Sequence, residues 1–157
     1  MVRGRSAREL TESEVRDIAV RYLARREHGV EELNRKLIQR GADSSMAEKV
    51  VAELREENLV SDERFTEMYI RTRIQQLNGP VKIRAELRGL GIPDHLIAQA
   101  MPEDRDTWFE IATKWAAKRC HGELDYAGRA RIYRGLANRG FTHDQANVAL
   151  ERLNSPD

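Results

Sequence analysis

Residues 33–41 read LNRKLIQRG, residues 83–91 read IRAELRGLG and residues 132–140 read IYRGLANRG. Each run ends on a glycine (Gly41, Gly91, Gly140), with Leu37, Leu87 or Leu136 four residues earlier and Leu33, Ile83 or Ile132 eight earlier. The three glycines stand 50 and 49 positions apart. Apolar residues four apart share a helical face, and a glycine just beyond them is a helix stop. After each glycine a second stripe starts at matching offsets: Ala47, Val50 and Val51, then Ile97, Ala100 and Met101, then Ala146, Ala149 and Leu150. A repeat of about 50 residues therefore organises the chain.

A longer stripe lies upstream in each repeat. Counting back from Gly29, Gly79 and Gly122, fourteen positions lead to Val15, Phe65 and Trp108, and eleven lead to Ile18, Met68 and Ile111. Ten lead to Ala19, Tyr69 and Ala112, and seven to Tyr22, Thr72 and Trp115. These spacings mark one face of a helix, which the second glycine set is expected to close. The two glycines of a repeat are 12 apart in the first two repeats and 18 apart in the third, placing a six-residue insertion near Glu123–Ala127.

Each repeat thus reads as long helix, short helix, short helix. The expected organisation is a flexible N-terminus over 1–10, then repeats over 11–60, 61–103 and 104–157. Thr11-x-x-Glu14, Ser45-x-x-Glu48 and Thr142-x-x-Gln145 have capping-box form, and Asp62 and Asp104 suit N-caps. Pro80 and Pro93 sit where helices can begin. No stretch alternates long enough for a strand. The expected fold is all-α: three tandem three-helix, helix-turn-helix-like repeats. Units this small must share buried surface with their neighbours, so the predicted molecule is elongated and curved.

Composition agrees. The chain has 157 residues, 40% apolar and 34% charged, which is too apolar for a disordered chain. Its one cysteine, Cys120, excludes an internal disulfide framework and a cysteine-based zinc cluster. The N-terminal residues lack the apolar stretch of a signal peptide, and no later stretch approaches a membrane span, so a cytoplasmic protein without a membrane partner is expected. His28, His95, His121 and His143 share no metal-ligand spacing. His28 and His121 precede glycines and are read as caps for free helix carbonyls. No phosphate-cradling loop or nucleophile elbow occurs. The sequence therefore predicts no enzyme and no catalytic, metal or cofactor site. A binding module is expected.

Net charge is only +1, but its sign alternates along the chain. Residues 1–40 carry +3, 41–70 carry −5, 71–90 carry +4, 91–110 carry −4, 111–139 carry +5 and 140–157 carry −2. The candidate contact residues lie in two basic segments: Arg71, Arg73, Lys82, Arg84 and Arg88, then Lys114, Lys118, Arg129, Arg131 and Arg134. Such cations suit phosphate contacts that need no particular base sequence. The alternative for any one of them is an internal ion pair, with Glu86 or Glu110 for example. A helix-turn-helix reader acting on DNA alone is the second functional reading, weakened because the final helices of the repeats are acidic or short.

Several strings resemble the RecX family of recombination regulators. They are Glu57-Asn58-Leu59-Val60 followed by Asp62-Glu63-Arg64-Phe65, and Gly79-Pro80-x-x-Ile83-Arg84-x-Glu86-Leu87-x-x-x-Gly91-Ile92. Ala19-x-x-x-Leu23-x-x-Arg26-x-His28-x-x-x-Glu32-Leu33-x-x-Lys36-Leu37 and Leu136-x-x-x-Gly140-Phe141 match as well. The resemblance runs from about residue 14 to residue 150 and has no clear counterpart for the segment through Leu10. It implies a negative regulator of the RecA recombinase, bound in the groove of the RecA–DNA filament; a monomer is expected. There it would inhibit ATP hydrolysis, co-protease activity and strand exchange, within DNA repair and the SOS response. Direct contact with single- or double-stranded DNA is a further expectation. Within these strings Leu33, Phe65, Ile83, Leu87 and Gly91 are read as core or turn residues, and Asp62 as the cap of the helix carrying Phe65.

Overall fold

The structure, a computed structural model, describes residues 8–154. The expectation of a flexible 1–10 segment therefore falls outside the described residues as far as position 7, as does the end of the third repeat from 155. The described residues form nine α-helices and no strand: α1 (Glu12–Arg25), α2 (Val30–Gln39), α3 (Ser44–Glu56), α4 (Asp62–Gln75), α5 (Pro80–Gly89), α6 (Asp94–Ala100), α7 (Arg105–Arg119), α8 (Tyr126–Asn138) and α9 (His143–Leu153). They divide into two compact units, with the boundary inside α4 after Phe65. No helix among the described residues is long and apolar enough to cross a membrane.

In the first unit Val15 and Ala19 of α1 pack with Leu33 and Leu37 of α2 and with Ala47, Val50, Val51 and Leu54 of α3. Ile18, Tyr22 and Val30 border this core. In the second unit α7 is the central helix, burying Trp108, Ile111, Ala112, Trp115 and Ala116. Around it lie Ile132 and Leu136 of α8 and Ala146, Ala149 and Leu150 of α9. Leu33, Leu37, Ile83, Leu87 and Leu136 are fully buried. Truncating any of these leucines to alanine removes about 2–5 kcal/mol.

The repeated glycines do what their spacing predicts. Gly41, Gly91 and Gly140 take φ of +101°, +77° and +91°, a region that favours residues without a Cβ. Each sits one residue past a helix C-cap and donates its N–H to Ile38, Arg88 or Ala137. The next residue (Ala42, Ile92, Phe141) donates to Leu37, Leu87 or Leu136 and is itself buried. This is one Schellman turn made three times, with its apolar contact.

The second glycine set behaves otherwise. Gly29 and Gly79 do not close α1 and α4; they are the extended N-cap residues of α2 and α5. The insertion also resolves differently from its sequence reading. Gly128, and not Gly122, lies 12 residues before the turn glycine, yet it falls inside α8. That helix has 13 residues against 10 in α2 and α5, so the insertion is shared between a longer helix and the loop before it.

Caps follow the sequence at Thr11, Asp104 and Thr142; only Thr142 completes the reciprocal bond of a capping box, with Gln145. Ser45 is not a cap, because α3 begins at Ser44 after Asp43. Nor does Asp62 hold the N-cap position of α4. Ser61 does so, its Oγ accepting from the Arg64 N–H at 3.2 Å, while Asp62 Oδ1 accepts from the Val30 N–H at 2.8 Å and caps α2.

Candidate nucleic-acid interface

Helices α4 and α5 carry the first basic group, and its members differ in state. The Arg73 guanidinium donates to both carboxylate oxygens of Glu86 at 2.6 Å, and the Tyr69 hydroxyl donates to the same carboxylate. The Glu86 bond raises the Arg73 pKa above the usual guanidinium value. Burial works to raise that of Glu86, but the bonds from Arg73 and Tyr69 outweigh it and hold the carboxyl below its ordinary value. Arg73 is thus engaged inside the protein, as the ion-pair alternative allows. Arg88 Nε donates to Asp94 Oδ1 at 2.8 Å, but both side chains are largely exposed and such a pair contributes little.

Arg71 is exposed, and Lys82 and Arg84 are half-buried; none forms a salt bridge among the described residues, although the charge of Lys82 acts on Glu86 one turn on. Arg84 opens onto a groove also lined by Val81, Met101, Arg105 and Asp144. The turn glycine Gly140 packs directly against the backbone of Lys82.

The second group lies on α7 and α8. Lys114 and Lys118 are exposed one turn apart on α7, and Arg131 and Arg134 are exposed one turn apart on α8, with Arg129 half-buried beside them. None of the five pairs with a carboxylate among the described residues. The expected contact residues therefore do not form one cluster. Arg84 faces one groove, Arg131 lines a separate cavity, and Arg73 and Arg88 are paired.

Two arginines outside the expected set join this region. The Arg119 guanidinium lies 4.2 Å from the centroid of Trp115, four residues earlier on α7. Arg139 donates to the carbonyls of Gln76 and Leu77, which follow α4. Leu77 has a left-handed φ of +61°, and the arginine ties down that turn. Burial, then the charges of Arg119 and Arg73, hold the Arg139 pKa below the ordinary guanidinium value. The Arg–Trp spacing of one turn was visible in the sequence; the Arg139 contacts, some 60 residues distant, were not.

Phosphate recognition needs cations whose charge is not already spent on carboxylates, in positions water can leave readily. The exposed rows on α7 and α8 meet both conditions. No cluster of three or more potential metal ligands occurs among the described residues.

Fold and surface together define an all-helical protein built of small three-helix units and carrying unpaired cations on α7 and α8. Residues 16–54 match the family pattern described as RecX, first three-helix domain, and residues 61–101 match RecX, second three-helix domain. The chain belongs to the RecX family. Regulatory protein RecX of Halorhodospira halophila is 35% identical over 145 residues, which cover 91% of this chain and 90% of that relative. The protein of the same name from Pseudomonas putida is 40% identical over 138 residues, 87% of this chain and 88% of its own. In fold, the chain is similar to the crystal structure of RecX from Lactobacillus salivarius, with a TM-score of 0.77 at 21% identity, covering 91% of this chain and 96% of that one.

Proposed function

We propose that this protein is a negative regulator of the RecA recombinase, acting without enzymatic activity of its own in the cytoplasm. It docks in the groove of the RecA–DNA filament and restrains ATP hydrolysis, co-protease activity and strand exchange. Membership of a family whose relatives are named regulatory proteins supports the regulatory role. The observation that carries the docking is the unpaired cation set of α7 and α8, Lys114, Lys118, Arg129, Arg131 and Arg134, with Arg71, Lys82 and Arg84 as further contacts. Arg73 serves this surface as a positioning residue through Glu86, and the exposed Arg88 is free to exchange Asp94 for a partner.

Physically, a filament groove presents protein charges of both signs with nucleic acid deeper in. Charge bands of alternating sign run through the repeats over 11–60, 61–103 and 104–157, which suits a groove presenting both signs along several filament subunits. Binding that favours one filament state opposes the changes that nucleotide turnover requires. The test is RecA ATP hydrolysis on single-stranded DNA with this protein titrated in. Inhibition at well below one copy per RecA supports the filament regulator. Inhibition only when enough copies are present to coat the strand supports the helix-turn-helix reading of a DNA competitor. An unchanged rate rejects both.

A further inference from the structure

The loop between α7 and α8 holds part of the third repeat's insertion, and the trihelical scaffold does not need it. Its residues Glu123, Leu124 and Asp125 line a cavity together with the buried Trp115 and Ile132 and the exposed Arg119 and Arg131. An aromatic ring sharing a cavity with two guanidinium groups is the combination that takes a planar base together with its phosphate. We propose that this cavity binds one nucleotide of a single-stranded nucleic acid, its base stacked on Trp115 and its phosphate held by Arg119 and Arg131. The inference rests on the reading that nucleic acid forms part of the partner, and it assigns the residues that would touch it.

Three features support the assignment. First, the indole is fixed in place: a side chain at Gly135 would overlap the Trp115 ring, so the ring edge is seated on α8. Its face is covered by Arg119 alone among the cations, at 4.2 Å. Arg119 is exposed and has no carboxylate partner among the described residues, so it is free to swing aside. An exposed cation–aromatic contact is weaker than a base stacked on indole, and the exchange is favourable.

Second, one of the two acidic residues lining the cavity is engaged by the helix. The Asp125 carboxylate accepts from the Gly128 N–H at 2.7 Å as the cap of α8, where the positive end of the helix partly offsets its charge, while Glu123 is exposed. Third, Arg119 and Arg139 affect each other as like charges with no carboxylate paired to either among the described residues. An anion placed in the cavity relieves that repulsion.

The experiment uses the full chain carrying Trp108→Phe, so that Trp115 is the sole tryptophan, with helix content checked by circular dichroism. A short oligothymidylate should quench Trp115 emission saturably, and an abasic oligomer of equal length should bind several-fold more weakly and quench little. Arg131→Gln should weaken oligothymidylate binding, and Trp115→Leu should weaken it about fivefold or more, the loss of one stacked base. The abasic comparison needs no change at Trp115, so it decides the matter even where Trp115→Leu does not fold. Equal quenching by the abasic strand, or no quenching by either, overturns the proposal. Inhibition of RecA by a protein whose Trp115 ignores the oligomer would sink this site while leaving the regulatory reading intact. Quenching by a protein that leaves RecA untouched would uphold the site and sink that reading.

Discussion

In the turn after α2, Gly41 has φ of +101°, and a Cβ placed there would meet only Leu10 Cδ1, at 4.0 Å. In the turn after α8, Gly140 has φ of +91°, and a Cβ there would overlap the backbone of Lys82. The two turns share their hydrogen bonds and their buried leucine, yet they serve different surroundings. The Gly140 turn also completes α5: the Gly79 N–H donates to the Arg139 carbonyl at 2.7 Å and the Val81 N–H to the Gly140 carbonyl at 2.9 Å. Helix α2 has the same need for partners at its first N–H groups, but meets it with the Asp62 carboxylate. The comparison teaches that one repeated turn can be a local stop in one unit and a packing surface in the other.

Alanine substitution separates these two roles. Gly41→Ala meets only the backbone strain of the left-handed region, roughly 1–2 kcal/mol. Gly140→Ala adds an overlap with backbone that cannot move aside cheaply, for a total of roughly 3 kcal/mol or more. Chemical denaturation of the two variants checks this, and equal losses would break the distinction drawn above.

A smaller effect sharpens a second pairing, His28 with Asn78. Both residues are 1% exposed and precede the N-cap glycine of a second helix. His28 Nδ1–H donates to the Arg26 carbonyl at 3.1 Å, and Lys36 Nζ donates to Nε2 at 3.1 Å, which fixes a neutral imidazole. Asn78 Nδ2 donates to the Arg73 carbonyl at 3.1 Å. Burial pushes the His28 pKa below its ordinary 6.5. The unfolded chain therefore binds a proton there before the folded one does. Stability from this group is complete above pH 6.5 and falls as pH drops through the folded value, by at most about 1.4 kcal/mol per pH unit. Denaturation of the protein and of His28→Asn at several pH values should show this decline only where histidine is present.

Much of the fold was legible because its punctuation is backbone chemistry. A left-handed C′ position demands glycine, so the 50- and 49-residue spacing exposed the three turns and the helices ahead of them. Gly29 and Gly79 were misread as stops because their constraint is extended backbone and, at Gly79, close approach by residues 140 and 141. No local pattern announces that approach. Asp62 likewise caps a helix starting 32 residues earlier in the chain, beyond the reach of any local spacing rule. For the candidate site, sequence supplied the two basic groups. It left open which cations are spent internally, since the Arg73–Glu86 pair depends on how α4 meets α5. The period places Trp115 on one helical face, and the structure buries it, but its contact with Arg119 adds a surface role that period does not report.

The central claim is that the unpaired cations of α7 and α8 carry filament binding, while cations spent on internal carboxylates, such as Arg16 on Glu57 and Lys49 on Glu12, do not. The direct measurement is binding to RecA filaments assembled on single-stranded DNA, for two charge-altered proteins of intact helix content. One carries Lys114→Glu, Lys118→Glu and Arg134→Glu; the other carries Arg16→Gln and Lys49→Gln. The first should bind roughly tenfold or more weakly and lose its steep salt dependence, and the second should bind as the parent does. Equal binding by both, or a loss confined to the second variant, would contradict the account.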